Sequence, residues 1–323
     1  MNIPRREHPK PQFERKNWLN LNGQWDFCYD NGRSGIARKF YENGDFNLKI
    51  TVPFCVESSL SGIGNKDFMY GVWYKRVVSL EDSQLSGRTV FHIGAADYKT
   101  TVYINGKNAG CHIGGYVSFS FDITEFVKCG ENEIVIYCED DTRDPMVPRG
   151  KQSELYYSHD CDYTRTTGIW QTVWLESLPK THITDLKITT DTKSVRIKTN
   201  GGDFNKQLAL LTDTGVKTYD YTGDEITLDI ENPKLWSPEN PYLYEFSILC
   251  GEDKISSYFA LRTVEVKNGE KPPCIALNHK PYFLNGLLDQ GYFSDGIYLP
   301  ANEKGYEFDI LKMKELGFNM LRK

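Results

Sequence analysis

The sequence predicts a mainly β fold: a jelly-roll β-sandwich, then an immunoglobulin-like β-sandwich, then the truncated start of a (β/α)8 barrel. Three observations carry this. Short runs with two-residue alternation fill Trp18 to about Leu178 without sustained helical periodicity. A second such block runs from His182 to about Lys267, broken by glycine turns. After Pro273 the pattern changes to strand, loop, helix and strand. The domains expected are residues 1–179, 180–268 and 269–323, in keeping with single cores that stop growing at about 250–300 residues.

In the first block, Val117, Phe119, Phe121 and Ile123 alternate with Ser118, Ser120 and Asp122, which predicts a strand with one buried and one wet face. Ile134, Ile136 and Cys138 repeat the period. Asn105-Gly106 between two such runs predicts a hairpin, because a type I′ turn needs positive φ twice. Strand count and length fit a jelly roll. In the second block, turns are expected at Asn200-Gly201-Gly202, Asp213-Thr214-Gly215 and Thr222-Gly223. Its length of roughly 85 residues suits an immunoglobulin-like sandwich. No cysteine pair with a central tryptophan is present, so the antibody version is excluded.

Asn268 to Pro273 reads as a polar, proline-rich linker. A strand over Tyr282–Leu287, a polar glycine-rich loop from Asp289 to Gly296, a helix over Asn302–Leu316 and a strand ending at Arg322 follow, with Gly317 as the helix stop. One such unit buries too little surface to stand alone, since a β/α barrel takes about 250 residues. The expectation is a chain cut just inside a barrel, with exposed strand edges and apolar faces in its last part.

A net charge of −6 without any basic block argues against a nucleic-acid partner, which would need a cationic stripe. No apolar stretch is long enough to span a membrane. Met1 to His8 lacks the apolar core of a signal peptide, which points to the cytoplasm or to a leader already removed. The eight cysteines include no C-x-x-C pair and read as free thiols, Cys138 as a small buried hydrophobe. His159-Asp160-Cys161-Asp162 carries ligand-type residues, but adjacent loop residues rarely converge on one ion. Neither a metal site nor a cofactor is expected. Trp73, Trp170, Trp174 and Trp236 read as core rather than as sugar-stacking platforms.

An ordered set of motifs spans nearly the whole chain: Leu21-Asn22-Gly23-Gln24-Trp25-Asp26-Phe27, Gly71-Val72-Trp73-Tyr74, Val102 to Lys107, Thr167-Gly168-Ile169-Trp170, Leu235-Trp236-Ser237-Pro238, and Leu277-Asn278-His279-Lys280-Pro281. With it the chain resembles the N-terminal half of family 2 glycoside hydrolases, which include β-galactosidases, β-glucuronidases and β-mannosidases. The resemblance implies a sugar-binding-like jelly roll, an immunoglobulin-like domain and a catalytic barrel. It also implies a retaining β-glycosidase whose two catalytic glutamates, about 5–5.5 Å apart, lie on later barrel strands, one of them in an Asn-Glu pair. The Asn-Glu pairs here, Asn132-Glu133 and Asn302-Glu303, come too early in that layout, so no residue is expected to be catalytic. The implied partner is a β-linked oligosaccharide, and self-association into a homo-oligomer is left open. A stand-alone carbohydrate-binding module and a protein-interaction scaffold are the rival readings, and the barrel-like unit after Pro273 argues against the first.

The resemblance also implies site residues. Asp162, six positions before Gly168, matches an acid that projects toward sugar hydroxyls, the alternative being a loop aspartate paired with Arg165. Asp140 and Asp141 match a position lining the mouth of the site, or else form a strand-end turn. Asp289, with Gln290, falls where polar substrate-side residues follow a barrel strand. Arg322 matches the arginine of Asn-x-Leu-Arg that orients the nucleophile, although Lys323 departs from the small residue common there. The segment Arg143 to Gln152 is expected either to fold over the mouth or to pack as a surface loop.

Overall fold

The computed structural model describes residues 3–202, 205–269 and 272–323. Met1 and Asn2 of the N-terminal stretch and Glu270 and Lys271 of the expected linker lie outside the described residues. The fold is mainly β and forms two compact units. The first comprises Met1–Pro9, Asn17–Ser177 and Gln290–Ile310; the second comprises Lys10–Lys16, Leu178–Asp289 and Leu311–Lys323.

The first unit is a sandwich of a six-stranded and a four-stranded antiparallel sheet. In the larger sheet the long strands Gly71–Leu80 and Gly130–Glu139 pair along their full length. The Asn105-Gly106 hairpin forms as read, with φ of 51° and 76°, between Lys99–Ile104 and Lys107–Ile113. The inner faces meet in a core built around Trp25, Phe27, Tyr74, Phe91, Ile134, Ile136 and Cys138. The strand read over Val117–Ile123 is shorter, Phe119–Asp122, and Val117 is exposed outside it.

The strand Gly130–Glu139 corrects the two-faced reading. Val135 and Tyr137, on its other face, are as buried as Ile134 and Ile136. A second cluster covers them: Trp73 stacks on Tyr137 with centroids 4.2 Å apart, and Tyr103, Cys28, Phe40, Tyr41 and Phe46 complete it. Its cover comes from the segment after the Gly23–Tyr29 strand, which no local alternation announces. Trp73 and Trp174 are core, as expected, whereas Trp170 and Trp236 are only partly buried.

The second unit contains a three-stranded sheet, Asp185–Thr190, Ser194–Asn200 and Glu225–Asp229. A four-stranded sheet of Gly215–Tyr221, Lys206–Thr212, Tyr244–Cys250 and Asp253–Phe259 accompanies it. Val195, Ile197, Leu208, Leu210, Phe246 and Ile248 form its core. Arg15 is buried and makes a bidentate pair with Asp253, at 2.7 and 3.0 Å, while also bonding the Ile183 carbonyl. Such a fork matches a carboxylate in both geometry and charge.

Near the end, Gly286–Leu288 and Met320–Arg322 pair in parallel, on either side of the helix Lys304–Glu315 in sequence. Gly317, at φ 86°, ends that helix: its N–H bonds the Lys314 carbonyl and the Phe318 N–H bonds that of Met313, a Schellman closure. No residue of the helix is buried, and Phe308 and Leu311 are both more than 60% exposed.

Candidate functional site

The loop between the strands Gly130–Glu139 and Val173–Leu178 carries most of the chemistry in the first unit. Two backbone devices fix it. Ser153 N–H bonds the Tyr163 carbonyl at 2.8 Å and Tyr163 N–H bonds that of Lys151 at 2.7 Å, which closes the loop on itself. Inside it, His159 and Asp162 exchange both backbone bonds, at 3.1 and 2.7 Å, around a tight turn with Asp160 at φ 47°. This turn presents the Asp162 and His159 side chains together, each about one quarter exposed.

Beneath the loop lie three acids inside the sandwich. Glu57 is 1% exposed; its Oε2 accepts the Thr167 N–H at 3.0 Å, and Oε1 has no hydrogen-bond partner among the described residues. Burial pushes the Glu57 carboxyl up to about 7, against the Thr167 hydrogen bonds and the Arg165 charge that pull it down. Asp97 accepts from Gln152 Nε2 at 2.6 Å and from Thr166 Oγ1 at 3.3 Å, and burial raises it to about 6. Gln152 is fully buried; its Oε1 accepts the Thr166 N–H at 2.8 Å and its Nε2 also reaches Tyr116 Oη at 3.1 Å. Burial and the neighbouring Asp97 charge raise Asp140 well above the usual carboxylate range.

Asp162 does not pair with Arg165: it faces His159, with 3.9 Å between Oδ2 and Nε2. Arg165 turns inward instead, to the carbonyls of Leu155 and Lys66, with its guanidinium 4.0 Å over the Phe68 ring. Asp140 is buried at 4% exposure, so as it stands it does not present its carboxylate to a ligand. Asp141 is partly exposed and pairs with Arg33 at 3.2 Å. Asp289 and Arg322 belong to the second unit, where the Asp289 N–H bonds the Arg322 carbonyl at 2.9 Å and the Asp289 carboxylate pairs with Lys323 at 2.7 Å.

Sequence reasoning missed Glu57, Asp97 and Gln152. The available signal was an acid inside an apolar run, Cys55-Val56-Glu57 and Ala95-Ala96-Asp97, where burial forces a carboxylate to find donors or a proton. It also missed the convergence of Glu154, His159 and Asp162, whose ligand atoms lie within 4.8 Å of one another. Adjacent loop residues do converge here, because the tight turn brings positions 159 and 162 side by side.

A cavity of about 290 Å3 opens in the same unit, lined by Glu57, Lys66, Tyr163, Thr164, Tyr292 and Asp295. Tyr292 belongs to the segment read as a polar, glycine-rich loop. It stacks on Tyr163 with centroids 3.9 Å apart, and Ile297 and Leu299 beyond it are buried. A larger cleft of about 570 Å3 in the second unit, against Trp236 and Arg262, is lined by no carboxylate.

Gly168, in the Thr167-Gly168-Ile169 motif, ties loop to core. Its φ is 76°, and a Cβ there would collide with the buried Tyr74 hydroxyl, which accepts the Ile169 N–H at 3.2 Å. The motif therefore reports a close backbone approach that only glycine permits.

The chain belongs to glycosyl hydrolase family 2. The family model described as the sugar binding domain of glycosyl hydrolases family 2 matches residues 18–179, and a second, described as glycosyl hydrolases family 2, matches 172–262. Among curated relatives, a putative beta-glucuronidase of Formosa agariphila is 30% identical over 280 residues, 78% of this chain and 32% of its own length. A beta-galactosidase of Thermoanaerobacter pseudethanolicus is 30% identical over 80% of this chain and 36% of its own. The beta-glucuronidase of Felis catus is 28% identical over 97% of this chain and 52% of its own. The solved structure of a beta-glucuronidase from Ruminococcus gnavus in complex with D-glucuronic acid superposes with a TM-score of 0.80 at 20% identity, over 97% of this chain and 56% of that one. The chain thus spans about a third to a half of the length of the curated relatives it matches. Among the described residues no helix is long and apolar enough to cross a membrane.

Proposed function

We propose that these 323 residues are the non-catalytic N-terminal portion of a family 2 retaining β-glycosidase that hydrolyses O-glycosidic bonds of carbohydrates. Residues 1–179 serve as the sugar-binding-like jelly roll, 180–268 as the immunoglobulin-like sandwich and 269–323 as the start of the barrel. The match of residues 18–179 to the family's sugar binding domain carries this reading. The short share of each relative that the chain covers supports the non-catalytic assignment. Asp162 is the sugar contact, a part-exposed carboxylate held on a rigid turn where it can accept two hydroxyl hydrogen bonds. Asp141 stands at the mouth, and Asp140 acts from beneath, through the acid cluster. Asp289 and Arg322 serve the barrel side.

The chain by itself is expected to leave aryl β-glucuronides and β-galactosides uncleaved; turnover abolished by a substitution within it would refute the assignment. In the longer enzyme, Asp162→Ala is expected to lower kcat/KM about tenfold or more, since a charged hydrogen bond is worth about 1.5–3 kcal/mol. Its melting temperature should stay near that of the parent. Unchanged kinetics with a lower melting temperature would make Asp162 a purely structural residue.

A further inference from the structure

Three ligand-type atoms, His159 Nε2, Glu154 Oε1 and Asp162 Oδ2, converge at the His159 turn. The Ser153 hydroxyl donates its one proton to the Tyr157 carbonyl at 2.9 Å and accepts the Leu155 N–H at 3.0 Å. Its 2.9 Å contact with His159 Nδ1 therefore places the imidazole proton on Nδ1. Nε2 is left with a lone pair, 3.9 Å from Glu154 Oε1 and 3.9 Å from Asp162 Oδ2. Arg149 holds the other Glu154 oxygen at 2.8 Å, which leaves Oε1 turned to the cluster. A cation suits this gap. Ligands about 2.0–2.2 Å from a tetrahedral ion stand about 3.3–3.5 Å from one another, and a small rotation of these part-exposed carboxylates supplies the difference.

We propose that His159 Nε2, Glu154 Oε1 and Asp162 Oδ2 bind one divalent first-row transition ion, with water completing its shell. One imidazole with two carboxylates is a nitrogen and oxygen ligand set that suits Mn2+ or Zn2+. The Ser153 hydroxyl acts behind the ligand, locking the tautomer that exposes the Nε2 lone pair. Glu154 and Asp162 come from opposite arms of the loop, so the ion closes it and fixes the Asp162 carboxylate while leaving Oδ1 for other donors. The inference stands on this geometry alone and holds whether or not the protein cleaves glycosides.

Mn2+ is the probe of choice, because the exposed thiols Cys111, Cys129 and Cys161 would compete for Zn2+. The chelator-stripped chain is titrated with MnCl2, and free ion is counted by electron paramagnetic resonance. The expected result is one ion bound per chain, selective broadening of the His159 ring signals, and a melting temperature that rises with added Mn2+. His159→Gln and Asp162→Asn should abolish all three effects, and Ser153→Ala should weaken binding about tenfold or more. Absence of saturable binding would overturn the proposal, as would binding that survives in His159→Gln. Full affinity in Ser153→Ala would remove the tautomer lock on which it rests.

Discussion

Lowering the pH from about 8 to about 5 is expected to stabilise the first unit, and Glu57→Gln is expected to remove much of that gain. The fold raises the Glu57 carboxyl from 4.5 to about 7 and that of Asp97 from 3.8 to about 6. A group raised in the folded state binds its proton more tightly there than in the unfolded chain. Its contribution is therefore complete below the unfolded value and is lost as pH climbs through the folded one. For Glu57 alone the swing amounts to about 3 kcal/mol. The carboxylates shifted the other way, such as Glu154 in this unit and Asp191, Asp213 and Glu239 in the other, lose stabilisation only as pH falls below their unfolded values of 3.8–4.5. These carboxylates stay ionised from pH 5 to 8, so the part of the pH dependence that Glu57→Gln removes belongs to Glu57.

The check is a series of thermal melts for the wild type and Glu57→Gln across that window. The uncharged amide mimics the protonated acid, so the variant should match the wild type near pH 5 and exceed it at pH 8. A wild-type melting temperature that is flat or rising from pH 5 to 8 would show that the Arg165 charge, and not burial, governs Glu57. The consequence for the site is direct. Glu57 holds the Thr167 N–H, and Asp97 holds Gln152 and Thr166, so both ends of the loop that carries Asp162 are anchored on acids that titrate between about 6 and 7.

The parts of this protein that were legible in its sequence are those decided locally. The Asn105-Gly106 hairpin and the Gly317 helix stop each follow from a backbone conformation that one residue type favours, and both appear where they were read. The alternation of Phe119 and Phe121 with Ser120 and Asp122 survives as a strand because its outer face meets water. Gly130–Glu139 was misread on its second face because the cover over Val135 and Tyr137 is assembled from Trp73, Tyr103 and the Phe40–Phe46 segment, all distant in sequence. The candidate site divides the same way. Asp162 was singled out through the family resemblance, and its neighbour could not be read from the sequence: Arg165, three residues on, prefers backbone carbonyls, and His159 faces Asp162 instead. Glu57 and Asp97 were marked only by the apolar residues before them, and the donors that meet them, Thr167, Gln152 and Thr166, are distant in sequence.

The segment after Asp289, read as a polar loop, packs into the first unit through its aromatics. A polar, glycine-rich stretch would be solvated if its aromatics had nothing to pack on. Here Tyr298 sits among Trp170, Tyr116 and Tyr292, with centroids 4.7, 6.1 and 5.0 Å away, and its hydroxyl lies 3.2 Å from that of Tyr116. Leu299 is 3% exposed, and the Asp295 carbonyl accepts the Ser58 hydroxyl at 2.7 Å. Truncating a buried leucine costs about 2–5 kcal/mol, and a packed aromatic often more. Tyr298→Ala and Leu299→Ala are each therefore expected to destabilise the first unit by at least about 2 kcal/mol, and the pair by less than the sum because the two are neighbours. Both should also open the chain to trypsin at Lys304, since the docked segment just before it would be released. Melting temperatures and digestion rates equal to those of the wild type would mean that the segment is free in solution. The acid-lined cavity beside Tyr163 would then lack the wall that Tyr292 and Asp295 give it.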